Sequence, residues 1–191
     1  MQNVLIISGH PNLNESIGNA TILGEVAKAL PEAEIRFLDA LYPNYQINVA
    51  QEQEALLNAD VIVWQFPFSW YSVPGLMKLW IDQVFVHGFA HGSTAKLGGK
   101  KLIISFTAGA PEGLYSPEGL FGHDIGQYMT QFETTAVMCK LELQEPVYTF
   151  GISYAGRDEA KVREQKAMAK DHADRLVTAI KETMPALKMA V

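Results

Sequence analysis

Three short stretches of this chain hold residue types that can do chemistry, and each follows an apolar run. The segment Gln65-Phe66-Pro67-Phe68-Ser69-Trp70-Tyr71-Ser72-Val73-Pro74 places three aromatics, Phe68, Trp70 and Tyr71, within four positions. A planar ligand needs apolar walls and backbone donors for its ring edge, and such a loop can supply both. An aromatic cluster tucked under a loop is the competing reading. The segment Gly9-His10-Pro11-Asn12-Leu13-Asn14-Glu15-Ser16 sets small polar residues at the start of a helical pattern. Hydroxyl, amide and backbone N–H donors, with the partial positive charge of a helix N-terminus, suit a phosphate monoester. Asn14 or Ser16 acting only as a helix cap explains the same residues. Glu15 opposes an anion there unless its carboxylate points away. The segment has neither the glycine pattern of a dinucleotide cradle nor the Lys-Ser/Thr of a P-loop, which argues against an ATPase. The third segment, Thr107-Ala108-Gly109-Ala110, is small enough for the backbone to approach a flat ligand closely, or is an ordinary turn. Tyr115, further along, can donate a hydrogen bond over a ring or simply pack.

These segments meet only if the elements between them form a parallel sheet. Val4–Ser8, Glu34–Leu38, Asp60–Phe66, Lys101–Thr107 and Glu145–Gly151 read as strands. Asp60–Phe66 is apolar at nearly every position, as a central parallel strand requires. Ser16–Leu30 repeats apolar residues at three-and-four spacing and stops at Pro31, which predicts an amphipathic helix. Ala50–Asn58, Val73–Val86, Asp124–Cys139 and Asp158–Thr183 are the other predicted helices. Pro74 falls in the first turn of the second of these, and Pro185 ends the last. Asp39–Asn48 and Ala108–Gly122 read as loops. The alternation predicts the α/β class: a doubly wound five-stranded parallel sheet of order 2-1-3-4-5, with helices on both faces, as one domain over residues 1–191. Ligands of such sheets bind outside the carboxyl ends of the strands, where the strand order reverses. All three segments fall there.

The totals narrow the function. In 191 residues, 48% are apolar, so a sizeable core can form. A net charge of −6 provides no electrostatic footprint for nucleic acid or an anionic membrane. Cys139 is the single cysteine, so no intrachain disulfide and no cysteine-based metal site are expected. The opening Met1–Pro11 has no basic lead, and its apolar run is too short to span a bilayer; the chain reads as cytoplasmic.

The stretch from Leu41 to Gly92 carries a longer pattern: Gln65-Phe66-Pro67, then Trp70-Tyr71-Ser72-Val73-Pro74, Lys78-Leu79-Trp80-Ile81-Asp82 and Val84-Phe85. With Gly9-His10-Pro11 and Thr107-Ala108-Gly109 at the expected places, it resembles the flavodoxin-fold NAD(P)H:quinone oxidoreductase family. The likeness is greatest to that family's short bacterial general-stress and potassium-efflux ancillary flavoproteins. The terminal helix lies outside it.

The resemblance implies a flavin. A short second-strand loop and the lack of the mammalian enzyme's long carboxyl-terminal extension favour FMN over FAD. By the same likeness His10, Asn14, Ser16 and Ile17 would surround the flavin phosphate. Pro67, Phe68, Ser69, Trp70 and Tyr71 would line the ring, and Thr107, Ala108, Gly109 and Ala110 would close its other edge. Tyr115 matches a tyrosine assigned to hydride transfer. The mammalian enzyme pairs that tyrosine with a histidine six residues later, where this chain has Phe121, with His123 two further on. Phe121, His123 and His91 would border the acceptor, His91 near the interface of a homodimer. The implied activity is two-electron, ping-pong reduction of a quinone or related aromatic acceptor, with NAD(P)H as co-substrate. The match over Leu41–Ala55 implies an alternative, a regulatory flavoprotein that binds and activates a glutathione-gated potassium efflux transporter as a transient membrane partner. Electron transfer in the manner of small flavodoxins fits the aromatic segment less well.

Other residues read as structural. His87 and His91 are four apart, but Gly88 interrupts any helix between them and no third ligand stands near, so no metal is expected. Lys78 and Asp82 read as a surface ion pair, Cys139 as a buried thiol, and the charges of Arg157–Arg175 as a solvated helix face. Met129, Phe132, Val137 and Met138 read as core or dimer contacts.

Overall fold

Every residue of β1 (Val4–Ser8) is buried, and so is all of β3 (Val61–Pro67) except its last position. Strands apolar on both faces need helices on both faces, and the computed structural model, which describes residues 3–183, shows them. In chain order the remaining elements are α1 (Gly18–Ala29), β2 (Glu34–Phe37), α2 (Leu38–Leu41), α3 (Val49–Asn58), α4 (Gly75–Val84), β4 (Lys101–Thr107), α5 (Ile125–Cys139), β5 (Glu142–Leu143), β6 (Val147–Thr149) and α6 (Glu159–Thr183). The strand order is β2-β1-β3-β4-β5, with β6 also on β4, and all pairs are parallel. Pro185 lies outside the described residues. Among those residues no helix is long and apolar enough to cross a membrane.

Alternation along the strands divides the core. Leu5, Ile7, Ile62, Trp64, Phe66, Ile104 and Phe106 pack on the side of α3, α4 and α5. Val4, Ile6, Val61, Val63, Ile103 and Val147 pack on the side of α1 and α6. Register then levels the carboxyl edge: Ser8 pairs with Gln65, Gln65 with Ser105, and Pro67 with Thr107. The three loops therefore start at one height.

The expected fifth strand is in fact two pieces. β5 pairs with Lys101 and Leu102, and β6 pairs with Ser105–Thr107. Between them Pro146 has no N–H to give the ladder, which breaks the strand there. The expected Asp39–Asn48 loop opens with the single helical turn of α2. The predicted helix over Val73–Val86 is shorter, with Pro74 as its N-cap. Asp124 caps α5 in a reciprocal box with Gln127. Met129 and Phe132 are core, whereas Val137 and Met138 are exposed. Lys78 and Asp82 form the surface pair expected of them, at 2.5 Å.

On α3, Glu52 is fully buried. It accepts hydrogen bonds from Arg36 Nε (2.8 Å) and Nη2 (2.5 Å), from Trp80 Nε1 (2.9 Å) and from the Tyr42 hydroxyl. Burial pulls the Arg36 pKa down, and its bonds to Glu52 and Glu34 more than offset this, so the guanidinium stays charged. These contacts pin α2 and α3 against β2 and α4.

On α6, His172 is wholly buried, and burial first, then the charge of Arg175, lowers its pKa from 6.5 to about 3. Between those values the unfolded chain binds a proton that the folded chain does not, so stability rises with pH across this window and is complete above it. The unfolding free energy from urea titrations is expected to be flat near neutrality and to fall steadily below about pH 6.5, by an amount on the order of a few kcal/mol in total. Replacing His172 by Gln should flatten that slope. Equal slopes in the two proteins would contradict a neutral buried ring.

Candidate functional site

The first loop is tied down at both ends. The Gly9 N–H donates to the Gln65 carbonyl (2.8 Å). A Cβ on Gly9 would sit 2.3 Å from Met77 Sδ, so only glycine lets α4 pack this close to the turn. The Leu13 N–H donates to Asp39 Oδ2 (2.6 Å). His10 Nδ1 accepts the Asn12 N–H (3.1 Å), which leaves the ring proton of a neutral imidazole on Nε2 as a donor. Burial lowers the His10 pKa against the opposing charge of Asp39. A 3-10 turn over Leu13–Glu15 follows, then extended Ser16, and α1 begins two residues later than its apolar period predicts. Ser16 Oγ accepts the Asn19 N–H (3.0 Å) and thus caps the helix. The earlier first-turn N–H groups have no intrahelical acceptor and suit an anion, so capping and phosphate binding are compatible. Asn14 is exposed and makes no hydrogen bond among the described residues.

The second loop is a strained turn. Trp70 (φ 48°) and Tyr71 (φ 65°) are both left-handed, and the Ser72 N–H closes on the Ser69 carbonyl (3.0 Å). For bulky residues this costs about 1 kcal/mol or more each. α5 holds the turn in place: Gln131 Nε2 donates to the Tyr71 carbonyl (3.3 Å), and the Ser72 hydroxyl donates to Gln131 Oε1 (2.9 Å). On the other side the Phe68 N–H donates to the Thr107 carbonyl (2.8 Å). The result leaves Trp70 92% exposed. The N–H groups of Trp70 and Tyr71 have no partner among the described residues.

The third loop is stitched to the end of β6. The Ala108 N–H donates to the Thr149 carbonyl (2.9 Å), the Ile152 N–H to Ala108 (3.0 Å) and the Gly151 N–H to Ala110 (3.1 Å). Gly109 and Ala110 keep free N–H groups. Tyr115 is buried among rings: Phe150 at 4.9 Å, Phe121 at 5.0 Å, Tyr128 at 5.9 Å and Phe68 at 6.4 Å. Burial, then the neighbouring Tyr71 and Tyr128, push its phenol up, so it stays a proton-bearing donor at neutral pH. Phe121 also packs on Tyr71 (5.4 Å) and serves as wall. His123 is exposed and lies against Tyr128 (6.1 Å) rather than Tyr115. His91 stays out of the cluster, with its ring edge-on to His87 (5.5 Å) and Gly88 at φ 86° between them.

Asn19 joins all three loops. It is buried; its Oδ1 accepts from Gln65 Nε2 (2.7 Å), and its Nδ2 donates to Ser16 Oγ (3.2 Å) and Thr107 Oγ1 (3.1 Å). Ser8 Oγ and Gln65 Oε1, buried at the same edge, have no hydrogen-bond partner among the described residues. Sequence reasoning missed Asn19, Tyr128, Gln131 and Phe150. Its only available signal was Gln65, a lone amide in an otherwise apolar strand. A cavity of about 350 Å³ lies elsewhere, between α5 and the β5–β6 edge, lined mainly by Met129, Phe132, Leu143 and Tyr148, and it holds none of these groups.

Free backbone donors, an open helix start and an aromatic wall stand together on one edge of an α/β sheet, a set of groups that suits a flat, phosphate-bearing ligand. The family model described as the flavodoxin-like fold (Flavodoxin_2) matches residues 2–173, and the chain belongs to that family. Among solved structures, the chain is similar to general stress protein 14 from Treponema denticola in complex with FMN. That likeness is 29% identity and a TM-score of 0.82 over 94% of this chain and 99% of the other. It is similar to a chain described as a thermophilic tryptophan halogenase from Streptomycin violaceusniger, at 31% identity and a TM-score of 0.77 over 88% and 97%. It is also similar to an NADPH-quinone reductase from P. pentosaceus, at 25% identity and a TM-score of 0.67 over 91% and 98%. Relatives of one fold thus carry different descriptions, and activity has to be argued from the site.

Proposed function

We propose that this chain holds FMN, rather than FAD, at the carboxyl edge and is an NAD(P)H:acceptor oxidoreductase that reduces quinones or related aromatic acceptors in two-electron, ping-pong turnover. The observation that carries this is the convergence of the three loops on Asn19, with free N–H groups of Trp70, Tyr71, Gly109 and Ala110 facing no partner of their own. The residues fit the group: Ser16, Ile17 and the start of α1 for the phosphate, with His10 beside them, and the two later loops for the ring. The FMN complex of the Treponema denticola protein and the NADPH-quinone reductase from P. pentosaceus support the reading.

When bound, FMN supplies the acceptance and delivery of hydride. The chain's own part is position and protons. Phe68, Tyr71 and Tyr128 form an aromatic wall, half-buried at Phe68 and Tyr128 and open to solvent at Tyr71, and exposed Trp70 stands where a second flat reactant can stack. Tyr115 holds its proton at the hydroxyl and can donate it to an oxygen of a reduced acceptor. Phe121, in the place of the family histidine, cannot relay that proton, so its resupply falls to solvent. His91, away from the ring cluster of its own chain, borders the acceptor across a homodimer interface in this reading.

The test is direct. Purified protein should be yellow, mass spectrometry of the released cofactor should give FMN, and NADH or NADPH should be oxidised when menadione is present. Initial rates at several menadione concentrations should give parallel double-reciprocal lines. Protein that stays colourless after reconstitution with FMN and with FAD would sink the proposal.

A further inference from the structure

His172 takes no part in the chemistry above, yet its ring bridges two strands. Nε2 lies 2.9 Å from Ser105 Oγ on β4, and Nδ1 lies 2.9 Å from Thr149 Oγ1 on β6. These partners flank the third loop. Ser105 stands two positions before Thr107, and the Thr149 carbonyl receives the Ala108 N–H. Phe150, which packs on Tyr115, is the next residue after Thr149.

The protonation state follows from the neighbours. Thr149 Oγ1 already accepts from Arg175 Nη2 (2.7 Å), while Arg175 Nη1 donates to the Tyr148 carbonyl (3.1 Å). The Thr149 hydroxyl can then give its proton to Nδ1, an arrangement that sets the ring proton on Nε2, facing Ser105. A second ring proton would oppose the Thr149 hydroxyl and add charge beside Arg175. The charges facing the ring are Arg175 and Asp171 of its own helix. β4 and β6 present hydroxyls, and the charged residues of α1, which packs on α6, are Glu25 and Lys28, paired with each other at the surface.

We infer that His172 is a positioning residue of the cofactor site: as the neutral Nε2–H tautomer it clamps the ends of β4 and β6 together, aligns the Gly109 and Ala110 N–H groups, and so raises FMN affinity without touching FMN. The inference rests on the FMN reading of this edge. Burial, which keeps the ring uncharged far below neutrality, keeps the clamp closed over the physiological range.

The test compares wild type with His172→Leu, which removes both bonds, and His172→Gln, which keeps a donor near the Nε2 position. Amide hydrogen exchange is followed on ligand-free protein, and FMN affinity by quenching of flavin fluorescence, at a temperature where circular dichroism shows each protein folded. His172→Leu should speed exchange at the hydrogen-bonded amides of Ala108, Gly151 and Ile152 by about tenfold and weaken FMN binding by a similar factor, the size of one misaligned hydrogen bond. Exchange at Ile17 and Gly18 should not change, and His172→Gln should recover much of both losses. Thr149→Val removes one end of the bridge with α6 intact and should reproduce the loss, which covers the case of a His172→Leu protein that does not fold. Unchanged loop exchange and FMN affinity with only a lower melting temperature would overturn the inference. Wild-type protein that binds no FMN overturns the cofactor reading. The exchange data alone then decide the clamp, which stands if loop protection is lost in His172→Leu and falls if it is kept.

Discussion

Glu52→Ala is expected to lower the unfolding free energy by about 3–5 kcal/mol, the range for removing one partner of a buried, hydrogen-bonded ion pair. Arg36, Tyr42 and Trp80 all donate to this one carboxylate, and all three are buried. Without it a guanidinium is left nearly dry, with exposed Glu34 as its only charged partner among the described residues. Such a loss is a large share of the roughly 5–15 kcal/mol that keeps an ordinary domain folded. The double variant Arg36→Met/Glu52→Leu should lose less than Glu52→Ala alone, because no unpaired charge remains inside. Urea denaturation followed by tryptophan fluorescence measures both. A loss below about 1 kcal/mol for Glu52→Ala would mean that water reaches the guanidinium and that the network adds little. The effect should also reach the first loop, because α2 carries Asp39, which holds the Leu13 N–H.

Asn19→Leu is expected to weaken FMN binding by about 100-fold, while the protein stays folded with a loss of about 1–3 kcal/mol. The side chain fills the same space, so helix α1 and its packing persist. What disappears is the junction: Gln65 loses an acceptor, and Ser16 and Thr107 lose a common donor. Each loop then keeps its own anchors but not its spacing from the other two, and a rigid planar ligand senses spacing. Asn19→Asp is the sharper comparison. It keeps the acceptor for Gln65, removes the donors, and sets a charge near the phosphate position, so it should bind FMN no better than Asn19→Leu. Fluorescence titration of the ligand-free proteins gives the constants. A folded Asn19→Leu protein within about threefold of wild type would show that the loops hold their spacing without the junction.

Much of this was legible in the residues. Val4–Ser8, Asp60–Phe66 and Lys101–Thr107 declare themselves as strands because both of their faces are covered, so burial leaves an unbroken apolar run. Their observed bounds agree with the expectation to within a residue. The aromatic turn and the small residues after Thr107 also stood out by type. What escaped depends on tertiary partners. β5 is only Glu142 and Leu143, too short to show an alternation, and it is a strand because β4 lies beside it. α2 is one turn, too short to show a period. The left-handed conformation of Trp70 and Tyr71 runs against the local preference of aromatic residues and exists because Gln131, sixty positions on from Tyr71, holds it. Asn19 and His172 sit on helices whose polar residues normally face water. The charges of Arg157–Arg175 were read as such a face, and Arg175 fits in part, but Arg157 turns inward to the Ser153 carbonyl and Gln165.

The interruption at Pro146 has a bearing on how this chain behaves in a crowded solution. A parallel sheet ends in two open borders, and an unpaired border is a template on which another molecule can add a strand, the first step toward aggregation. Here one border is the four-residue β2, carrying Glu34 and Arg36, and the other is split into pieces of two and three residues by a position that has no N–H. Neither offers a run long enough to nucleate pairing. The break at Pro146 thus leaves the second border as poor a template as the first.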